Sequence, residues 1–308
     1  MLMKYYHKSG KKQARKLIIV VGPTASGKSA LAIAFARKYN GEVISADSRQ
    51  VYKGLEIGSG AVSKKEARNI PHHLIGIINP KRTFTVSEYK RLARNKMEAI
   101  WKKGKLPILV GGTGLYIRAA VDGLVIPDVK PNPKLRRKLE KKSVSELSLI
   151  LKKKDVRRWR EIDQKNPRRL VRAIEIAMAL GKVPAIKINP LAAEVLFLGI
   201  RKEGKMLESA VRKRVAKMVR EGLVAETKKL AKAGVPERKI REFGFEYSNI
   251  LAFIGGEIAS KPELIDKIAK STRDYAKRQM TWFRKDNRII WIRNRQEAII
   301  KINKFLIL

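Results

Sequence analysis

The sequence predicts an α/β fold in which a parallel sheet is flanked by helices and interrupted by a helical insertion. Three observations carry that reading. A strand, a glycine loop and a helix follow one another between Leu17 and Ala36. Further apolar strands then alternate with amphipathic helices. From about Asp122 the chain turns proline-broken, helical and strongly basic, before a last set of strands and helices.

Leu17-Ile18-Ile19-Val20-Val21 is an unbroken β-branched run, the pattern of a strand buried on both faces. GPTASGKS follows and matches G-x-x-x-x-G-K-[ST] at Gly22, Gly27, Lys28 and Ser29. Leu31, Ala32, Phe35 and Ala36 then repeat at helical spacing. In that order the motif is a P-loop, so the sheet is of P-loop NTPase-like type. Its backbone N–H groups and helix N-terminus converge on one anion, Lys28 adds a point charge and Ser29 a hydroxyl suited to Mg²⁺. The loop therefore predicts binding of a di- or triphosphate, as in ATP-binding proteins.

Glu42 to Asp47 reads as a second strand ending at Asp47, followed by the polar loop DSRQVYKGLEIGSG. Lys64 to Asn69 reads as a short helix and PHHLIGIINP as a strand with breakers at both ends. Thr85 to Lys102 is helical, Gly104 stops it, and Leu106 to Val110 is another buried strand running into Gly111-Gly112-Thr113-Gly114. In such sheets ligands gather at the carboxyl ends of the strands, where Lys28, Asp47 and Thr113 all fall. Between Asp128 and Arg172 there are 17 Lys/Arg against 6 Asp/Glu, a net of +11. Glu194 to Ile200 is a strand again, Leu207 to Ala233 a helix broken at Gly222, Ile265 to Arg284 a helix and Arg288 to Ile292 a late strand. The expected organisation is a basic arm over residues 1–16, a P-loop core over 17–121 and 194–308, and a helical nucleic-acid-binding insertion over 122–193.

The whole chain of 308 residues carries Lys+Arg 70 against Asp+Glu 28, a net of +42. A field of that strength favours a polyanionic partner, nucleic acid above all. No apolar run approaches the roughly 18 residues of a spanning helix, so no membrane role is expected. The absence of cysteine excludes disulfides and thiolate metal sites. A cytoplasmic location is the expectation. His72 and His73, with no third histidine nearby, read as structural rather than as metal ligands. Asp47 can hold Mg²⁺, act as a general base or cap a turn. Arg214 lies on a helix able to face the phosphates, although spacing does not separate it from Arg212 or Lys213.

GPTASGKSALA, ISADSRQVYKGLEIGSG, PHHLI, LVGGTGLYIRA, RRLVRAIEI, RVAKMVREGL and TRDYAKRQMTWFR occur in that order from about Leu17 to Ile292. In this order they resemble the tRNA dimethylallyltransferase (tRNA isopentenyltransferase) family, bacterial type; DSRQVYKG and KRQMTWFR are the most specific parts. The resemblance implies transfer of a dimethylallyl group from dimethylallyl diphosphate to the exocyclic amine of the adenosine 3′ to the anticodon. It implies that Gly22, Thr24, Ala25, Ser26, Gly27, Lys28 and Ser29 hold the diphosphate, with Mg²⁺ on Ser29. Arg214 joins them, Asp47 is the general base and Thr113 helps to hold it. Asp47, Ser48, Arg49, Gln50 and Thr113 meet the flipped target nucleotide and its neighbours. Arg136, Arg168, Arg169, Arg172, Arg241, Gly244 and Phe245 match positions that meet the anticodon stem-loop. Two departures stand out: Ile162-Asp-Gln-Lys-Asn-Pro replaces the pattern Ile-x-x-Asn-Asp-Pro, and Phe245 replaces a tyrosine after Gly244. A monomer is the expected state. The rival readings are a P-loop nucleotide kinase, a prenyltransferase acting on free ATP, ADP or AMP, and an RNA-binding protein with a vestigial loop.

Overall fold

The computed structural model describes residues 14–307. Residues 1–13 of the expected basic arm lie outside them. Six parallel strands form one sheet in the order β3-β2-β4-β1-β5-β6, with β1 Lys16–Val21, β2 Gly41–Ser45, β3 His72–His73, β4 Leu106–Val110, β5 Glu194–Ile200 and β6 Ile289–Ile292. β1 is central: Val20 pairs with Val110 on one side and Leu198 on the other. Leu17 to Val21 have no exposed surface. Burying an aliphatic side chain is worth about 1.5–3 kcal/mol, so this run anchors the sheet.

The first unit holds α1 Lys28–Lys38, α2 Glu56–Ser59, α3 Lys64–Ala67, α4 Val86–Lys102 and α5 Gly114–Val121. The second unit, Leu124–Asn189, holds α6 Pro133–Leu139, α7 Val144–Lys154, α8 Val156–Glu161 and α9 Pro167–Leu180. The first unit resumes at Pro190 with α10 Gly204–Arg220, α11 Leu223–Lys232, α12 Glu237–Glu242, α13 Phe245–Ile254, α14 Lys261–Phe283 and α15 Arg295–Ile307. Alternation along β1 sorts its residues between two cores. Ile18 and Val20 meet α1 and α15 through Phe35, Ala36, Ala298 and Ile302. Leu17, Ile19 and Val21 belong to the larger core with α4, α5, α10, α13 and α14, through Tyr89, Tyr116, Val215, Tyr247 and Ile268.

The second unit has its own core of Leu139, Leu147, Leu151, Leu170, Ile174 and Val183. Its helices start on side-chain caps at Asn132, Ser143, Asp155 and Asn166, each accepting a backbone N–H.

Two expectations need correction. β2 ends at Ser45, because the chain leaves the ladder and places Asp47 on the rim beyond it. The strand expected over PHHLIGIINP is only His72–His73, because Leu74 takes φ 64 and turns the backbone out of the sheet. The C-terminal helix α15 was not foreseen. The break at Gly222 is real: it takes φ 104, a left-handed value that glycine tolerates, between α10 and α11.

Candidate active site

The carboxyl ends of β1, β2 and β4 open onto a cleft. Thr24, Ala25, Lys28 and Ser29 line one part of it, Asp47, Arg49 and Gln50 another, and Arg214, Glu246 and Gln279 reach in from α10, α13 and α14. The phosphate loop carries built-in strain, with Ala25 at φ 63 and Gly27 at φ 94. α1 starts at Gly27 with no side-chain cap and no acid in its first turn, so its N–H groups and positive dipole end stay available to an anion.

Lys28 Nζ donates to the Pro23 carbonyl at 2.7 Å. Burial, and then the positive field of Arg214, push its ammonium down to about 7, with Asp47 opposing. Arg214 Nη2 donates to the Ser59 carbonyl at 3.2 Å. Burial pulls its pKa down, Glu246 opposes and Arg49 adds to the fall. A Cβ on Gly60 would lie 1.8 Å from Arg214 Nη2 and would push the guanidinium aside. Lys28 and Arg214 thus crowd positive charge at one end of the cleft.

Gln279 ties the loop to the opposite rim. Its Oε1 accepts from the Thr24 N–H at 2.8 Å, and its Nε2 donates to the Gly112 carbonyl at 3.0 Å. Gly112 makes the approach possible, since a Cβ there would sit 2.0 Å from Gln279 Nε2. Asp47 Oδ1 accepts from the Arg49 N–H at 2.8 Å and, more weakly, from the Gln50 N–H at 3.4 Å. Oδ2 has no hydrogen-bond partner among the described residues. Thr113 stands beside this turn: its Oγ1 accepts from the Ser48 N–H at 3.1 Å, and its backbone N–H donates to the Ala46 carbonyl at 3.1 Å. Burial raises the Tyr275 phenol's pKa, and the carboxylate of Asp47 adds to the rise.

Arg49 is held from behind. Its guanidinium pairs with Glu246 and lies 5.5 Å and 5.4 Å from the ring centroids of Phe245 and Tyr275. Burial raises the Glu246 carboxyl, against the pull of Arg49 and Arg214. Gly244, at φ 144, lets α13 start against this pair.

The structure therefore brings Thr24, Ala25, Lys28, Ser29, Asp47, Arg49, Gln50 and Arg214 to one cleft, with Ser48 and Thr113 at its rim. Gly22 lies beneath the loop, where a Cβ would meet the Ile200 carbonyl at 2.7 Å, and Ser26 and Gly27 face its outer side. Arg241 is engaged by Glu237 at 2.6 Å on the surface of α12. In the second unit, Arg136 and Arg172 converge on the buried Glu175, while Arg168 is exposed and Arg169 lies 3.7 Å from Asp163. Sequence reasoning missed Gln279, Glu246 and Tyr275. Gln279 stands inside the distinctive stretch KRQMTWFR, which was the available signal for it.

Ser29 places a hydroxyl, a hard oxygen donor of the kind a divalent cation takes, in the cleft beside Lys28. No cluster of three or more His, Cys, Asp or Glu able to hold a metal occurs among the described residues. No described helix is long and apolar enough to cross a membrane.

Residues 50–286 match the profile of the family described as IPP transferase, and residues 15–82 match that described as isopentenyl transferase. The chain is 39% identical to the tRNA dimethylallyltransferase of Carboxydothermus hydrogenoformans over 96% of its length and 97% of the relative's. It is 37% identical to that of Anoxybacillus flavithermus, over 94% and 95% of the two chains. Among solved structures it resembles the full-length tRNA isopentenylpyrophosphate transferase of Bacillus halodurans, with a TM-score of 0.69 at 34% identity over 95% of each chain. It also resembles a eukaryotic dimethylallyltransferase acting on tRNA, with a TM-score of 0.73 at 27% identity over 87% of this chain and 70% of that one.

Proposed function

The chain belongs to the IPP transferase family, and from its cleft we infer how it carries out the reaction of its tRNA dimethylallyltransferase relatives. The enzyme is a prenyltransferase that moves a dimethylallyl group onto tRNA. The donor is dimethylallyl diphosphate, the acceptor is the exocyclic amine of the adenosine 3′ to the anticodon, and diphosphate is released. The observation that supports this best is that Lys28 of the phosphate loop and Arg214 from α10 share one cleft with the half-free carboxylate of Asp47.

The donor's diphosphate sits against the loop N–H groups between Thr24 and Gly27, with Lys28 and Arg214 on either side. As the bond from the allylic carbon to oxygen breaks, the electron pair leaves with the diphosphate. Donors already aimed at that point stabilise the developing charge without reorganising. Ser29 would hold Mg²⁺ there, which supplies further charge neutralisation on the leaving group. The amine nitrogen attacks the same carbon, and its proton passes to Asp47 Oδ2. Thr113 and the N–H groups of Arg49 and Gln50 keep the Asp47 turn in place, so the carboxylate does not need to search for the amine.

The net charge of +42 supports a polynucleotide acceptor over free AMP or ATP, since a small nucleotide needs no basic platform. The basic faces of Leu124–Asn189, Arg168 and Arg169 among them, and Arg241 and Phe245 in the first unit are the proposed anticodon stem-loop contacts. Arg136 and Arg172 contribute by holding Glu175, and so the fold of that unit. A cytoplasmic monomer fits this reading.

The test is transfer of labelled dimethylallyl, with Mg²⁺, to unmodified tRNA, AMP and ATP in parallel. Label on tRNA alone is expected. Label on AMP or ATP would overturn the acceptor, and ATP hydrolysis without prenyl transfer would overturn the reaction. An Asp47→Ala variant that kept the full rate on tRNA would overturn the base.

A further inference from the structure

α2 is a single turn, and its own neighbours do not satisfy its start. The first N–H groups of a helix lack partners inside it, and a polar N-cap side chain usually accepts one of them. The N-cap of α2 is Leu55, whose side chain has no acceptor. The acceptor comes from α11 instead. Glu226 Oε2 accepts from the Ile57 N–H at 2.7 Å and Oε1 from the Gly58 N–H at 2.8 Å, across 169 and 168 residues of chain. Tyr247 of α13 adds a third hydrogen bond, donating its phenol O–H to Oε1 at 2.9 Å. The fit is close: a Cβ on Gly58 would lie 2.5 Å from that phenol oxygen.

The same turn carries the group that aims Arg214. Ser59 follows Gly58 directly, and Ser59 and Gly60 line the cleft with Arg214. The bond from Arg214 Nη2 to the Ser59 carbonyl, at 3.2 Å, is the one hydrogen bond of that guanidinium among the described residues. An arginine side chain has many rotamers to lose, so its aim depends on where that carbonyl stands. The carbonyl in turn depends on the turn's own bonds, Ser59 N–H to Leu55 at 3.0 Å and Gly60 N–H to Ile57 at 2.9 Å. Glu226 fixes the two residues immediately before it.

We propose that Glu226 is a positioning residue for the transfer reaction: by capping α2 from α11 it sets the Ser59 carbonyl that aims Arg214 at the donor's diphosphate. Glu226 itself stands outside the lining of the cleft and acts only through that turn. This rests on the reading that Arg214 meets the diphosphate. The role calls for a carboxylate. Three donors converge on its two oxygens, and a carboxamide would turn an NH2 group toward a backbone N–H. An Arg214 already in place stabilises the charge developing on the leaving diphosphate without reorganising. One released from Ser59 has first to be oriented.

The test is a double-mutant cycle in the full chain with dimethylallyl diphosphate, unmodified tRNA and Mg²⁺, read in single turnover so that slow variants stay measurable. Glu226→Gln and Arg214→Gln are made singly and together. Glu226→Gln alone is expected to lower the transfer rate at limiting donor by about ten- to a hundredfold, with tRNA affinity unchanged. In the Arg214→Gln background the same change is expected to cost less than about threefold, because the group it positions is gone. A residue that only kept the protein folded would cost the same factor in both backgrounds. Tyr247→Phe removes one bond to Glu226 and keeps the other two. Its loss should be smaller, about threefold, and should also vanish without Arg214, so it carries the test should Glu226→Gln fail to fold. A Glu226→Gln rate within about twofold of the wild type, or an equal factor lost with and without Arg214, overturns the proposal. An Arg214→Gln variant that kept the full rate would overturn the placing of Arg214 on the diphosphate, and this inference with it.

Discussion

Raising the pH above neutrality should weaken capture of the diphosphate, through Lys28. In the free protein, burial and then Arg214 hold its ammonium down at about 7 instead of 10.5. A bound diphosphate supplies the missing counter-charge, so the ammonium should return toward its ordinary value. Binding above pH 7 must then take up close to one proton, and affinity falls by about tenfold per pH unit. Between pH 7 and pH 9 the loss amounts to roughly 50-fold, or about 2.3 kcal/mol, if the bound group titrates as an ordinary lysine. The measurement is titration calorimetry with dimethylallyl diphosphate and Mg²⁺, without tRNA, in buffers of contrasting ionisation enthalpy. The buffer dependence reports the proton directly. Lys28→Met should bind weakly at every pH and show neither the slope nor the proton. An affinity that stays level from pH 7 to 9, or the same slope in Lys28→Met, would refute the argument.

Other outcomes follow from single contacts. Asp47→Asn should lower the transfer rate by about 10²–10⁴-fold while leaving donor affinity nearly unchanged, read by single-turnover kinetics beside equilibrium binding. Gly112→Ala places a Cβ 2.0 Å from Gln279 Nε2 and should push that side chain off Thr24. Donor affinity should fall, and the added Gln279→Ala change should make little further difference. Glu246→Gln leaves the buried Arg49 without its counter-charge, which should cost about 3–5 kcal/mol in urea unfolding. Glu42, at the opposite end of β2, is buried, which opposes its ionisation. Its bonds to His73 and Lys105 outweigh that and hold its carboxyl down to about 2. Its contribution of about 3 kcal/mol is complete above the ordinary value of 4.5 and should be lost as the pH falls from there toward 2, an acid limb that Glu42→Gln flattens.

Much of the molecule is written locally in the chain. The run Leu17 to Val21 and GPTASGKS specify strand, phosphate loop and helix with no outside help, because the apolar run needs burial on both faces and the glycines permit one tight path. The parallel sheet follows from strands alternating with helices, and the polyanionic acceptor from a charge of +42. Asp47 was legible as a rim acid, though not as one with a single occupied oxygen. Arg214 could be told from Arg212 and Lys213 only in three dimensions: Arg212 pairs with Asp266 outside, whereas Arg214 turns inward to Ser59.

What only tertiary structure decided are the contacts between parts far apart in sequence. Gln279 reaches Thr24 across 255 residues, and Glu246 reaches Arg49 across 197. Neither residue carries a local pattern, because a buried polar side chain is defined by the groups it satisfies rather than by its neighbours in the chain. For the same reason the sequence showed His72 only as one of two adjacent histidines. Folding gave one of them a carboxylate, since His73 meets Glu42 at 2.7 Å. His72 lies 2.8 Å from the Ile70 carbonyl oxygen through Nδ1, and its Nε2 is buried without a hydrogen-bond partner among the described residues.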